Sequence, residues 1–149
     1  PNTSSAASDV YKRQQPMLDF QSFPMAEATK AVNDATLTVL MLETPTAIRN
    51  ANDIASVEGV DCLLIGTNDL CMEMGIPGEL DHPEIMEAYK QTITACKKHG
   101  KFVGMGGVYN FDAMRVYIDM GVQLVLAGND LSFMISAGRE QTNKLRSLV

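Results

Sequence analysis

From Asp34 onward, short apolar runs alternate with longer amphipathic segments. Each run is apolar at successive positions instead of at every second one, which is typical of parallel strands buried on both faces. The segments between the runs are long enough for helices that return the chain to the same end of a sheet. The runs therefore predict four parallel strands, at residues 37–42, 62–65, 102–105 and 124–127.

The segments between the runs carry helix signals. N-cap residues or a proline mark helix starts, and glycine marks helix ends. Four helices are predicted: one that starts at Pro45 after Thr44, one from about Pro83 to Gly100, one from about Asn110 to Gly121, and one from about Asp130 that breaks near Gly138. Apolar stripes predict the buried faces. The stripe of the first helix comprises Ala47, Ile48, Ala51, Ile54 and Ala55, and that of the third comprises Met114, Tyr117 and Ile118.

The order βαβαβαβα implies an α/β fold with a parallel sheet and right-handed crossovers. Four such units fit either half of an eight-stranded barrel or a small doubly wound sheet, and the pattern alone does not choose between them. Residues 1–16 have no apolar period and are interpreted as a disordered or non-native leader. Residues 17–149 are then the folded domain, a partial β/α barrel in the first alternative.

Composition narrows the classes of partner. The 149 residues carry a formal charge of −6, with a sequence pI of about 4.8. This acidic balance disfavours nucleic acid or an anionic membrane as the main partner, because both are polyanions. No apolar run approaches the roughly 18 residues of a membrane span, so a soluble protein is predicted. Three cysteines without a CxxC pair are typical of reduced thiols in a cytoplasmic protein.

Polar residues follow the predicted strands, at the edge where β/α folds place their functional groups. Glu43 follows the first strand, and Gly66-Thr67-Asn68-Asp69 follows the second. Carboxylates at the ends of adjacent strands can converge on one cation, and oxygen ligands suit Mg²⁺ or Mn²⁺. The alternative is that each acidic residue only caps a helix or lies in a solvated loop.

Two stretches of the chain, VLMLETPTAIRNANDIASVEGVDCLLIGTNDL and MEMGIPGELDHPEI, resemble the hydroxy-oxo-acid aldolase and citrate lyase β-chain-like family of class II pyruvate aldolases. The resemblance extends from about Thr38 to Leu145. Its motifs are E-[ST]-x-x-A after one strand and IG-x-x-DL after the next. It implies that the chain is the C-terminal half of a (β/α)₈ TIM-type barrel, with four parallel strands and outer helices.

The resemblance also implies a site and an activity. In that family the Glu and Asp of the motifs, here Glu43 and Asp69, bind a catalytic divalent cation, Mg²⁺ or Mn²⁺ with Co²⁺ as an alternative. Main-chain N–H groups of Gly66, Thr67 and Asn68 would bind the pyruvate carboxylate, with Asp69 beside them. The implied activity is a carbon–carbon lyase that cleaves a 2-oxo-hydroxy acid into pyruvate and an aldehyde through a metal-stabilised pyruvate enolate. A homo-oligomer is expected.

The chain also departs from the family. The arginine and the histidine that act in the family's chemistry lie on early strands absent from this sequence, so no catalytic residue is assigned and the fragment is expected to be incomplete for catalysis. His82 and His99 are interpreted as structural or surface residues. Gly106 stands where many members carry a bulky apolar residue, which predicts a roomier pocket. Cys71, where serine is frequent, is interpreted as a buried small residue.

Two alternatives to the aldolase remain open at this point. One is a phosphoenolpyruvate-utilising phosphotransferase barrel, which has a similar E-x-P and IGTNDL pairing. The other is a non-catalytic, truncated half-barrel. Schiff-base chemistry is disfavoured because no lysine lies at the C-terminal end of a predicted strand.

Overall fold

The computed structural model describes residues 24–148, so the predicted leader at residues 1–16 lies outside the described range. The boundary between two units of the chain falls between Leu37 and Thr38. The described part of the first unit contains one helix, α1 (Met25–Asp34), which the sequence pattern did not predict.

The second unit alternates strands and helices. Its strands are β1 (Val39–Leu42), β2 (Cys62–Gly66), β3 (Phe102–Gly106) and β4 (Leu124–Val125). Its helices are α2 (Pro45–Arg49), α3 (Ala51–Ala55), α4 (Thr67–Glu73), α5 (Pro83–His99), α6 (Phe111–Met120) and α7 (Asp130–Arg146). All pairings are parallel, in the order β1-β2-β3-β4. The predicted sheet is therefore confirmed.

The outer strands differ from the prediction, whereas the inner ones match it closely. β2 is buried at all five positions. β1 begins at Val39 instead of residue 37, and Met41 within it is 52% exposed. β4 contains two residues instead of four. β1 is exposed at Leu40 and Met41, and β4 is only half-buried, so the prediction that these two edge strands are buried on both faces was wrong.

Three helix details also differ. The helix predicted from Pro45 is divided at Asn50, whose φ of −92° and ψ of 4° leave the helical region. Ile118 is 47% exposed because α6 buries a narrow stripe through Met114 and Tyr117. The predicted break at Gly138 is absent, and α7 is continuous from Asp130 to Arg146. A single glycine costs a helix only about 1 kcal/mol, which its neighbours can offset.

Helix α5 confirms its predicted ends. The His82 Nδ1 atom accepts a hydrogen bond from the Glu84 N–H at 3.3 Å, Pro83 is the first helical residue, and Gly100 ends the helix with a φ of 65°. The inner face of α5 contributes Ile85, Tyr89, Ile93 and Cys96 to the core beside the sheet. This core fixes the strand register on which the site depends.

The opposite edge of the sheet, where strands begin, is stabilised by a local contact. The Thr38 N–H donates to an Asp61 carboxylate oxygen at 2.8 Å, and the Asp61 N–H donates to the Thr38 carbonyl at 3.0 Å. These bonds join the starts of β1 and β2, at the opposite end of the strands from the predicted site residues. Within residues 24–148, no helix is long and apolar enough to cross a bilayer.

Candidate functional site

The strand register brings the predicted site residues to one edge. Leu42 of β1 pairs with Ile65 of β2, so Glu43 and Gly66 are the next residues on adjacent strands. Gly66 in turn pairs with Gly106 of β3. Because the strands are parallel, the loops after all three emerge side by side.

Glu43 occupies the space that a side chain on Gly66 would need. A Cβ placed on Gly66 would lie 2.7 Å from the Glu43 Cγ atom and 2.9 Å from Oε1. Gly66 is buried, whereas Glu43 is half-buried. The absence of a side chain at Gly66 thus lets the Glu43 carboxylate lie over the end of β2, where the helix that contains Asp69 begins.

Asp69 lies in the first turn of α4, which begins directly at the end of β2. Gly66 is the N-cap and makes no side-chain capping bond. The first N–H groups of a helix have no intrahelical acceptor. The main-chain N–H groups of Thr67, Asn68 and Asp69 therefore make no hydrogen bond within the helix. The Asn68 and Asp69 side chains are exposed. The turn therefore presents N–H donors and one exposed carboxylate at the end of β2, the strand next to the one that Glu43 follows.

Thr67 differs from its neighbours because its side chain is fully buried. Its hydroxyl oxygen is 2.7 Å from the Tyr89 hydroxyl oxygen, and the two groups share a hydrogen bond. Only the main-chain N–H of Thr67 can therefore serve the substrate role that the resemblance implies. The sequence gives no sign of this contact, because the two residues are 22 positions apart.

Gly107 is a site neighbour that the sequence analysis did not assign. Its φ is 77°, and a Cβ on it would lie 3.1 Å from both the main-chain N and the Nδ2 atoms of Asn68. The loop after β3 therefore packs closely against the N–H group of Asn68. Its position directly after a strand-ending glycine is the sequence signal that could have identified it.

The donor set at this edge suits a hard divalent cation. The described part of the chain contains no cluster of three or more His, Cys, Asp or Glu side chains that could hold a metal. The two carboxylates that follow adjacent strand ends are those of Glu43 and Asp69, and water and substrate oxygens would complete the coordination of a cation there. Mg²⁺ is commonly held by one or two carboxylates in this way. The residues present fit such an ion.

Other reactive side chains have structural roles. The Cys71 thiol is fully buried, and burial, together with the charge of Glu79, raises its pKa. A buried, protonated thiol is a poor nucleophile. The His99 Nε2 atom is 3.1 Å from the Asn52 Oδ1 atom at the far end of α5. The interpretation of Cys71, His82 and His99 as structural residues agrees with these contacts.

Comparison with known proteins identifies the family. Residues 12–137 match the family described as HpcH/HpaI aldolase/citrate lyase. The chain is 38% identical over 98 residues to a 4-hydroxy-4-methyl-2-oxoglutarate aldolase of Hapsidospora irregularis. It is 35% identical over 99 residues to a 5-keto-4-deoxy-D-glucarate aldolase of Klebsiella pneumoniae. These alignments cover 65% and 66% of this chain but only 36% and 38% of the relatives.

A solved structure agrees with this identification. An HpcH/HpaI aldolase/citrate lyase family protein of Burkholderia cenocepacia superposes with a TM-score of 0.72 at 27% identity, over 87% of this chain and 51% of that chain. This match confirms the predicted fold class, a half of a TIM-type barrel. The family match covers well over half of the sequence and confirms the resemblance found in the motifs. The chain belongs to the HpcH/HpaI aldolase/citrate lyase family.

Proposed function

We propose that this chain is the metal-binding and pyruvate-binding portion of a class II aldolase, a carbon–carbon lyase that cleaves a 2-oxo-hydroxy acid into pyruvate and an aldehyde. The observation that carries the proposal is the position of the Glu43 carboxylate over Gly66, at the end of β2 from which Asp69 emerges. Two carboxylates from adjacent strand ends and a turn of free N–H groups form a site for a cation and an anionic oxo acid together.

Each residue of the proposed site has a distinct task. Glu43 and Asp69 would hold Mg²⁺ or Mn²⁺, or Co²⁺ in their place, and the bound cation supplies Lewis-acid stabilisation of negative charge on the oxo-acid oxygens. The N–H groups of Gly66, Thr67 and Asn68 would orient the substrate carboxylate. Gly107 lies close to Asn68, since a Cβ on Gly107 would be 3.1 Å from the Asn68 main-chain N atom. No residue of the described part is assigned to proton transfer.

The names of the relatives indicate the substrate class. Both are aldolases of hydroxylated oxo acids, one named for 4-hydroxy-4-methyl-2-oxoglutarate and the other for 5-keto-4-deoxy-D-glucarate. We extend that class to this chain, with a 2-oxo acid and an aldehyde as its small-molecule partners. The family match does not support the phosphotransferase alternative or the non-catalytic one.

The proposal includes a homo-oligomer in the cytoplasm. None of the 17 residues of α7 is buried, and four large apolar side chains in its first two turns are more than 40% exposed: Leu131, Phe133, Met134 and Ile135. Such a surface favours contact with another protein surface. The cytoplasmic location is supported by three thiols that are all free and buried.

Manganese binding tests the metal site directly. The 149-residue chain is titrated with Mn²⁺ and followed by electron paramagnetic resonance, as wild type, Glu43→Gln and Asp69→Asn. Asp130→Asn is the matched control, because Asp130 is also an exposed carboxylate in the first turn of a helix after a strand. We expect the two site variants to lose Mn²⁺ binding and the control to keep it, with unchanged circular dichroism in all three.

Oxalate extends the test to the substrate. It is a chelating analogue of the oxo acid, and its addition should increase Mn²⁺ affinity in the wild type and in Asp130→Asn only. Equal Mn²⁺ affinity in the wild type and in both site variants would refute the proposed function.

A further inference from the structure

One buried side-chain hydrogen bond joins the first turn of α4 to α5. α4 has seven residues and no side-chain cap at its N-terminus. Within the described part of the chain, the only side-chain hydrogen bond from residues 67–69 is the one between the hydroxyl groups of Thr67 and Tyr89, whose oxygens are 2.7 Å apart. Both side chains are fully buried. Water therefore cannot replace either partner without opening the core.

Tyr89 is itself held rigidly. Its ring stacks on the ring of Tyr117, with centroids 3.9 Å apart and planes inclined by 21°. The Tyr117 hydroxyl donates a hydrogen bond to the Leu80 carbonyl, in the loop between α4 and α5. The Tyr89 hydroxyl is thus a fixed point in the core against which α4 can be positioned.

Helix geometry links this contact to Asp69. Successive residues of an α-helix are turned by about 100°, so residues two apart point about 200° away from each other. A Thr67 side chain that points into the core therefore directs Asp69 outward, which agrees with the buried Thr67 and the exposed Asp69. Fixing the direction of Thr67 fixes the direction of the proposed ligand.

We propose that Tyr89 is a positioning residue for the metal ligand Asp69, acting through the hydroxyl of Thr67. Its contact sets the rotation of α4 about its own axis and so keeps the Asp69 carboxylate beside Glu43. This inference rests on the proposed function. It assigns Tyr89 no contact with metal or substrate.

The variant Tyr89→Phe removes the hydroxyl and keeps the stacked ring. Thr67→Val removes the partner hydroxyl with nearly the same shape. Tyr117→Phe is the matched control, because it removes the hydroxyl bonded to Leu80 but leaves the contact between Tyr89 and Thr67. Each variant removes one hydrogen bond from the same region, a buried one between Thr67 and Tyr89 or a partly buried one from Tyr117, so a general loss of stability should affect all three.

The first measurement needs no metal. Amide hydrogen exchange is followed by NMR at Leu70 and Cys71, the first residues of α4 whose N–H groups have intrahelical acceptors. We expect exchange there to accelerate about tenfold in Tyr89→Phe and Thr67→Val, because the turn can then open locally. Exchange at these two amides should stay at the wild-type rate in Tyr117→Phe. Equal exchange in the wild type and Tyr89→Phe would overturn the inference.

The second measurement is the Mn²⁺ dissociation constant. We expect it to increase about tenfold in Tyr89→Phe, the lower end of the effect of residues that orient metal ligands. Thr67→Val and the double variant Thr67→Val/Tyr89→Phe should show the same increase, because each removes the same hydrogen bond between residues 67 and 89. An unchanged constant in Tyr89→Phe, with binding lost in Glu43→Gln and Asp69→Asn, overturns the positioning role and leaves the proposed function standing. Mn²⁺ binding that stays at the wild-type level in Glu43→Gln and Asp69→Asn overturns both the positioning role and the proposed function.

Discussion

The Glu43 side chain lies where a methyl group on Gly66 would have to be, because a Cβ atom on Gly66 would be only 2.7 Å from the Glu43 Cγ atom. The register of β1 and β2 makes these residues neighbours, and the missing side chain at Gly66 allows the carboxylate to extend over the end of β2. The glycine of the IG-x-x-DL motif therefore has a role in placing the glutamate of the preceding strand.

This relationship predicts an effect of Gly66→Ala on metal binding. The backbone of Gly66, with a φ of −81° and a ψ of 83°, does not require glycine. Alanine should therefore fold but displace the Glu43 carboxylate, and we expect the Mn²⁺ dissociation constant to increase about tenfold. Gly106→Ala is the control, since its Cβ would approach Leu64 and Leu126 at 3.2 and 3.4 Å and not Glu43. Equal Mn²⁺ affinity in Gly66→Ala and the wild type would contradict the prediction.

The sequence predicted the sheet and the site edge for reasons that are local. A run that is apolar at every position, such as residues 62–65, is expected where both faces of the strand are covered by packed side chains. β2 is buried throughout, as this reasoning predicts. Glu43 and Asp69 could be placed at one edge because strand ends in a parallel sheet lie side by side, whereas their predicted role as metal ligands comes from the family resemblance. The exposure of β1 could not be predicted, because a run of apolar residues is the same at an edge as in the centre.

The contacts that support the site could not be predicted from the sequence, for a different reason. The bond between Thr67 and Tyr89 depends on how α5 packs on α4, and no local pattern encodes a pairing across 22 residues. The same holds for the approach of Gly107 to Asn68, which depends on the register of β2 and β3. Long-range side-chain contacts require the packed structure.

Gly107→Ala should impair both stability and carboxylate binding. A φ of 77° places this residue in the left-handed region, where alanine costs about 1–2 kcal/mol. Its Cβ would also press on the Asn68 N–H group at 3.1 Å. Gly75→Ala is the matched control, with a φ of 73° and no atom within 4 Å of the added Cβ. Urea unfolding should show a similar loss of stability in both variants, whereas only Gly107→Ala should weaken oxalate binding in the presence of Mn²⁺. Equal oxalate affinity in both variants would refute a role for Gly107 at the site.

Alkaline pH should destabilise the fold. Burial raises the pKa of the Cys96 thiol from 9.0 to about 11. A group whose pKa is higher in the folded state binds its proton more tightly there, so its contribution is complete below pH 9 and is lost as the pH rises from about 9 to about 11. We expect the free energy of unfolding to fall by about 1–3 kcal/mol over this window.

Urea unfolding with a reducing agent at pH 8, 9, 10 and 11 measures this loss. Cys96→Ala should lessen the decline between pH 9 and 11 without abolishing it, because burial also raises the pKa values of the Cys62 and Cys71 thiols. Burial also raises the pKa of Tyr117, from 10.0 to about 12, so a further decline should begin above pH 10 in both proteins. A stability that stays constant from pH 8 to 11 in the wild type would contradict the prediction.

The apolar surface of α7 predicts self-association. Leu131 and Met134 are 56% and 66% exposed and lie three positions apart, on one side of a helix with no buried residue. Edge strands add to this tendency, because β1 and β4 each present unpaired main-chain groups on one side of the described sheet. We expect light scattering to detect oligomers of the wild-type chain at micromolar concentration, and Leu131→Lys/Met134→Lys to dissociate them through charge repulsion at the contact. Val116→Lys on α6, where Val116 is 44% exposed, is the control and should leave the mass unchanged. If the wild type is already a monodisperse monomer, the exposed face of α7 does not mediate self-association.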